Sequence, residues 1–135
     1  PDTAQAISEV YRVLKPGGVA RIMIYHKWSL VGYMLWLRYA LLKFRPWISL
    51  DKIYFDHLES PGTKAFSIKQ ATEMFKKFES LEITTPLGPA DLLVSDAGQR
   101  HRGLILDIAY KIWPRWFLRL FFSTHGLAMV IEAKK

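Results

Sequence analysis

Three consecutive residues, Tyr25-His26-Lys27, close an apolar run that begins at Val19, and they carry the side chains most open to chemistry. In open α/β sheets, ligands sit beyond the carboxyl ends of the strands, so Tyr25 and Lys27 are expected to border a ligand pocket. His26 titrates near neutrality and is a candidate catalytic base for a hydroxyl proton. The alternative is an imidazole hydrogen-bonded at the strand terminus, shaping the loop that follows. Directly after them come Trp28, Tyr33 and Trp36, within the aromatic stretch WSLVGYMLWLRYALLKF. These three would line a lid over the pocket or a surface that dips into a bilayer. Packing against a second aromatic helix is the stronger expectation for the stretch as a whole.

A second cluster mixes cations with aromatics. Asp107, Lys111, Arg115 and Arg119 recur every four residues, which places them on one face of a helix. Lys111, Arg115, Trp116 and Arg119 form the candidate membrane contact, with cations for lipid headgroups and an aromatic ring at the boundary. The plain alternative is a solvated face lying over a core face. Basic residues interleaved with aromatics also suit single-stranded RNA. No RNA-binding motif accompanies them, so nucleic acid is not an expected partner. His26, His57, His101 and His125 are far apart and lack the H-x-x-x-H spacing of a metal site, so no metal is expected. There is neither a G-x-S-x-G nucleophile turn nor a phosphate-cradling loop of the Walker type.

The elements that must position these residues are marked by local signals. Asp2, with Gln5 three positions on, predicts a capped helix whose Ala6, Ile7, Val10, Val13 and Leu14 share one face. Lys15-Pro16-Gly17-Gly18 ends it and reverses the chain. Val19 to Tyr25, with Arg21 as its single charge, reads as a strand covered on both faces. Ser29 is placed to cap a helix running from Trp28 to Phe44, stopped by Pro46 and too short to cross a membrane. Residues 48–66 read as a loop with short extended pieces, ending in the turn Ser60-Pro61-Gly62. Ser67 and Gln70 form another capping box, and Ile68, Ala71, Thr72, Phe75 and Phe78 face inward from the helix they open. Leu81, Ile83 and Thr85 alternate as a half-buried strand. After a loop over 86–103, a second aromatic helix is expected from Leu104 to about Thr124, kinked at Pro114. Leu127 to Ala133 then reads as a strand.

Composition sets the bounds. The chain has 135 residues, half of them hydrophobic, with five Trp, six Tyr and eight Phe. That fits one domain or part of one and excludes disorder. The formal charge of +7 favours anionic partners such as a membrane surface or an acidic substrate. Without cysteine there is no disulfide or thiolate chemistry. The opening residues carry no secretory signal, so the expected place is the cytoplasm, with peripheral attachment to the membrane through the aromatic helices as the alternative.

The run Glu9-Val10-Tyr11-Arg12-Val13-Leu14-Lys15-Pro16-Gly17-Gly18 resembles the E-x-x-R-x-L-K-P-G-G segment of class I S-adenosylmethionine-dependent methyltransferases, particularly the type 11 group. In that family the segment leads into the fifth strand of a seven-stranded Rossmann-like sheet. The resemblance therefore implies an α/β fold: a partial Rossmann-like methyltransferase sheet of the fifth to seventh strands, the seventh lying antiparallel between the fifth and sixth, with an aromatic helical insertion. Residues 1–135 would be the C-terminal portion of a single methyltransferase domain. The family's acidic, glycine-rich cofactor loop does not occur in the sequence, so S-adenosylmethionine would belong to the intact protein only and no cofactor-binding residue is assigned in this chain. His57 to Ser67 resembles the segment before the family's last-but-one helix, where substrate-facing loops lie, and this adds His57 to the acceptor pocket. The implied activity is methyl transfer to a small or lipid-like acceptor, to which this chain contributes the acceptor side. The competing expectation is a non-enzymatic membrane-surface module using both aromatic helices. If the sheet is incomplete, its first strand presents an unpaired edge that invites self-association.

Overall fold

The computed structural model describes residues 2–89, 91–92 and 115–135. In chain order these form α1 (Thr3–Val13), β1 (Val19–His26), α2 (Leu30–Tyr39), a 3-10 turn (Leu41–Lys43) and α3 (Leu50–His57). Then come β2 (Ala65–Phe66), α4 (Ile68–Met74), β3 (Ser80–Thr84), α5 (Arg115–Phe121) and β4 (Ala128–Lys134). The expected loop over 93–103, the helix before Arg115, its kink at Pro114, and Lys111 of the candidate membrane contact lie outside the described residues.

The helix starts follow from side chains that satisfy the otherwise orphaned first amides. The Asp2 carboxylate accepts from the Ala4 and Gln5 amides, and the Ser29 hydroxyl from the Gly32 amide. At α4 the box is reciprocal: Ser67 accepts from the Gln70 amide while the Gln70 side chain accepts from the Ser67 amide. Gly17, at φ 75°, makes the reversal after α1. That turn is tied to the far end of the chain, since the Gly17 amide donates to the Lys135 carbonyl at 2.7 Å and the Lys135 amide returns to Gly18 at 3.0 Å. The Lys135 ammonium reaches the Tyr11 and Leu14 carbonyls at 2.7 and 2.8 Å, a cation at the negative end of α1.

The strands form one curled sheet in the order β2-β1-β4-β3. β4 lies antiparallel between β1 and β3, with Ile22 and Ile83 both opposite Ile131. β2 runs parallel to β1 and meets it only at Tyr25 and His26. Among the described residues, Val19 to Ile24 therefore pair on one side alone. α1 and α4 cover one sheet face, where Ile7, Ala71, Phe75, Phe78, Met129, Ile131 and Ala133 make the main core.

The other face departs from the sequence expectation. Val19, Arg21 and Met23 are exposed, beside Val130 and the Arg21–Glu132 ion pair. β1 is thus covered on one face by the described residues, and its near-continuous apolarity overstates its burial.

Two further differences concern the segment after β1. The helix ends at Tyr39 rather than Phe44, and the chain tightens into the 3-10 turn, with Phe44 left-handed at φ 56°. Residues 50–57, expected as loop, form α3. The signal for it was present: Ser49 as cap, and Leu50, Ile53, Tyr54 and Leu58 at helical spacing. α2 and α3 pack together through Leu35, Ala40, Ile53, Tyr54 and Leu58.

Candidate functional site

The carboxyl end of β1 is built by a buried polar knot. The Ser29 hydroxyl, which receives the Gly32 amide, lies 2.8 Å from the Tyr54 hydroxyl. The Tyr54 hydroxyl lies 3.1 Å from both the His26 and the Lys27 carbonyls. A consistent proton pattern has Ser29 donating to Tyr54 and Tyr54 donating to those carbonyls, which can only accept. Burial is the main cause that raises the Tyr54 phenol to about 12, so it stays a neutral donor. Gly32 leaves room for this contact, since an added Cβ would sit 2.1 Å from the Tyr54 oxygen. α3 thereby fixes the strand end from which Tyr25, His26 and Lys27 project.

The three residues then diverge. His26 is 4 % exposed, with Nδ1 3.3 Å from the Gly126 carbonyl. Because a carbonyl only accepts, Nδ1 carries the hydrogen and Nε2 is the basic nitrogen. Burial first, with His125 adding to it against the Gly126 hydrogen bond, lowers the His26 pKa and keeps the ring neutral. The Lys27 ammonium pairs with Asp51 at 2.6 Å and lies 5.6 Å from the Trp28 ring centre. The Tyr25 phenol is raised to about 12, by burial and by its hydrogen bond to Glu59.

A shallow cleft of about 260 Å³ opens beside the unpaired edge of β1, lined by Thr3, Met23, Ile24, Tyr25, Gly62, Thr63, Lys64 and Phe66. Met23, Ile24 and Phe66 supply apolar surface, and Thr3, Thr63 and Lys64 supply hydroxyl and ammonium groups. Its size lies just below the usual range of small-molecule pockets. The sequence located it only in part. Tyr25 lines it and Gly62 to Phe66 fall within the segment His57 to Ser67, whereas Thr3 and Met23 carried no signal in advance.

The other candidates stand elsewhere. The Trp36 indole donates to the Ile48 carbonyl at 2.9 Å and packs in the α2–α3 core. His57 stacks on Tyr39 with ring centres 3.8 Å apart, and burial is the largest cause lowering its pKa. Trp28 and Tyr33 are partly exposed. On α5, Leu118 is buried while Trp116, Leu120 and Phe121 are exposed, in a helix that also carries Arg115 and Arg119. Among the described residues no group of His, Asp and Glu is placed to hold a metal, and no helix is long and apolar enough to cross a membrane.

A second buried anchor sits where β4 begins. The Asp91 carboxylate accepts from the Gly88 amide at 2.9 Å and the Leu127 amide at 3.0 Å. Burial raises its pKa against the pull of those amides. Gly126, just before, passes so close to Pro86 that a Cβ would lie 1.7 Å from the Pro86 carbonyl oxygen.

Comparison with known proteins gives no relative from which to transfer a role: no family model, curated protein or solved structure matches the chain.

Proposed function

We propose that this chain is the acceptor-side portion of a class I S-adenosylmethionine-dependent methyltransferase, acting on a small or lipid-like acceptor. The observation that carries the reading is β4 lying antiparallel between β1 and β3, with β1 directly downstream of the Glu9 to Gly18 segment. That is the order the resemblance implies for the fifth, seventh and sixth strands of a Rossmann-like sheet.

The cofactor does not fit the residues at hand. A nucleoside ribose is held by a carboxylate, and its neighbouring groups by a glycine-rich turn opening a helix. The cleft lining offers neither, so no step is routed through the cofactor here. What the chain contributes is the acceptor wall. Tyr25 and Lys64 present polar groups over an apolar surface, which orients an amphipathic acceptor, and orientation alone carries much of a methyl transfer. His26, the expected base for a hydroxyl acceptor, is 4 % exposed and does not line the cleft, so the wall meets the acceptor through Tyr25 and Lys64 rather than through the imidazole.

Two measurements test the reading. Calorimetry of this chain with S-adenosylmethionine is expected to show no binding; stoichiometric micromolar binding overturns the division of labour. The coding sequence upstream is expected to encode a glycine-rich loop after a hydrophobic strand, and a reading frame without one overturns the family assignment. The open edge of β1 also supports self-association. Sedimentation at high concentration is expected to show dimers or larger species, and a clean monomer argues against it.

A second reading is favoured by a separate observation. Trp116 is 72 % exposed, beside exposed Leu120 and Phe121 and the cations Arg115 and Arg119, the make-up of an interfacial helix. In this reading the chain is a membrane-surface module, and the two readings coincide if the acceptor is a lipid. Co-sedimentation with anionic liposomes that weakens with salt supports it; salt-independent absence from the pellet removes it.

A further inference from the structure

We infer that the tip between α2 and α3, Leu41 to Trp47, is an insertion point for an anionic lipid surface. The inference deepens the membrane-surface reading and rests on it, but it assigns the contact to residues far in sequence from α5.

All of residues 41–47 are exposed. Phe44 is 87 % and Trp47 77 % exposed, and Leu41 and Leu42 stand out with them. Exposed apolar residues scattered singly need no explanation, but four large ones within one turn do. The tip is not a slack loop. Its base is closed by the Arg45 amide on the Ala40 carbonyl at 2.8 Å and the Phe44 amide on Leu41 at 2.9 Å. The Trp36 indole holds the Ile48 carbonyl at 2.9 Å on the far side. Phe44 is the one non-glycine residue with positive φ among the described residues. A bulky residue is disfavoured there, and its ring is aimed into solvent. The fold thus holds an unfavourable backbone that displays a hydrophobic ring from a hydrogen-bonded base.

Charge decides between a lipid and a protein occupant. The sequence from Trp28 to Leu50 contains Arg38, Lys43 and Arg45 and no carboxylate, and the flanking Lys27 and Asp51 neutralise each other. Lys43 and Arg45 flank Phe44 directly. Protein interfaces also favour aromatic rings and Arg, but are depleted in Lys, so it is the uncompensated positive charge beside the rings, Lys43 with Arg45, that points to an anionic surface. A bilayer interface accepts the pattern. Aromatic rings and leucines enter the acyl boundary while Lys and Arg reach up to anionic headgroups.

The test uses the full chain and sucrose-loaded vesicles of phosphatidylcholine, with and without phosphatidylserine. The wild-type chain is expected to sediment with the anionic vesicles and at least about tenfold less with the neutral ones. Phe44→Ser/Trp47→Ser is expected to lose at least about tenfold in partitioning, whereas Trp116→Ser/Phe121→Ser retains the tip's share. Phe44→Gly separates display from packing. Glycine adopts positive φ without cost, so the melting temperature is expected to hold or rise while vesicle binding falls. If the wild-type chain binds vesicles and the tip variants bind equally well, the tip assignment is overturned and the membrane reading survives. Wild-type chain that binds no vesicles overturns both. A Phe44→Gly variant that melts markedly lower makes Phe44 a structural residue and also overturns the inference.

Discussion

The sheet with its two covering helices and the α2–α3 arm are built from equally apolar sequence, yet they use it in opposite ways. In the sheet region Ala71, Phe75, Met129, Ile131 and Ala133 are essentially removed from water, and the helices meet it along single stripes. In the arm the core is small, and many hydrophobic residues point outward, Leu37, Leu41, Leu42, Phe44 and Trp47 among them. The arm owes its shape to a polar knot, Ser29–Tyr54–His26, and to the stacked pair Tyr39–His57. Hydrophobicity drives the first region together, whereas in the second it is displayed from a hydrogen-bonded frame.

That contrast can be broken most sharply with two phenylalanines. Phe75→Ala removes a ring that is 1 % exposed and is expected to cost about 3–5 kcal/mol. Phe44→Ala removes one that stands in solvent and should change stability by about 0.5 kcal/mol or less. Urea denaturation of both variants reads the difference, and equal losses would abolish the distinction.

Gly126→Ala comes next. Its methyl would collide with the Pro86 carbonyl, backbone against backbone, so the entry to β4 must shift at a cost of about 1–3 kcal/mol or more. Gly32→Ala meets a side-chain oxygen instead and should cost less, since helical alanine recovers about 0.5–1 kcal/mol. Thermal melts that rank the two in reverse would show that Tyr54 is the less yielding neighbour.

Tyr54→Phe sharpens the account of the frame. It leaves the Ser29 hydroxyl and the strand-end carbonyls without their buried partner, and about 1–3 kcal/mol is expected to go. The pH dependence carries the signature. The folded pKa values of Tyr25 and Tyr54 lie at about 12, above the ordinary 10.0. Their contribution is therefore complete below pH 10 and is lost as pH rises towards 12. In Tyr54→Phe this alkaline loss should shrink, leaving the part due to Tyr25; an unchanged profile would exclude Tyr54 as a source.

On the acid side the effect is smaller. The folded pKa values of His26 and His57 lie below the ordinary 6.5, so the unfolded chain binds more protons and stability falls as pH drops through and below that value. Asp91, whose pKa is raised by burial, acts in the opposite sense at lower pH. His26→Gln should flatten the decline below about pH 6.5. The smallest effect belongs to Arg21, paired with Glu132 on the open sheet face at 2.7 Å; Arg21→Ala should cost about 0–1 kcal/mol, and less at high salt.

Much of this architecture was legible from local signals. Asp2 and Ser67 mark the starts of α1 and α4 because their side chains satisfy amides within three residues, and Pro16-Gly17-Gly18 marks a reversal that a left-handed glycine makes. β3 alternates as expected, and β4 runs over Ala128–Lys134 where Leu127 to Ala133 reads as a strand. α3 was missed although Ser49 caps it, because Pro46 and the turn signal at Ser60 to Gly62 dominate the segment. The helix expected to reach Phe44 stops at Tyr39 although Leu41, Leu42 and Lys43 are sound helix formers. What ends it is the Arg45 amide on the Ala40 carbonyl and the docking of Tyr39 on His57. At the candidate site, Tyr25, His26 and Lys27 were placed correctly at the end of β1. Their separate fates, on the cleft, in the interior and on Asp51, depend on α3 and on Gly126, a hundred residues from His26 in sequence.

By itself, then, the sequence marked where α1, α4 and the reversal into β1 begin, since caps and glycines act over a few residues. Tertiary structure alone decided which apolar segments are buried. Val19 to Tyr25 and Leu41 to Trp47 look alike as composition, but burial requires a second surface brought from elsewhere in the chain. Among the described residues α1 and α4 supply one, and they supply it to a single face of the sheet that β1 and β4 share.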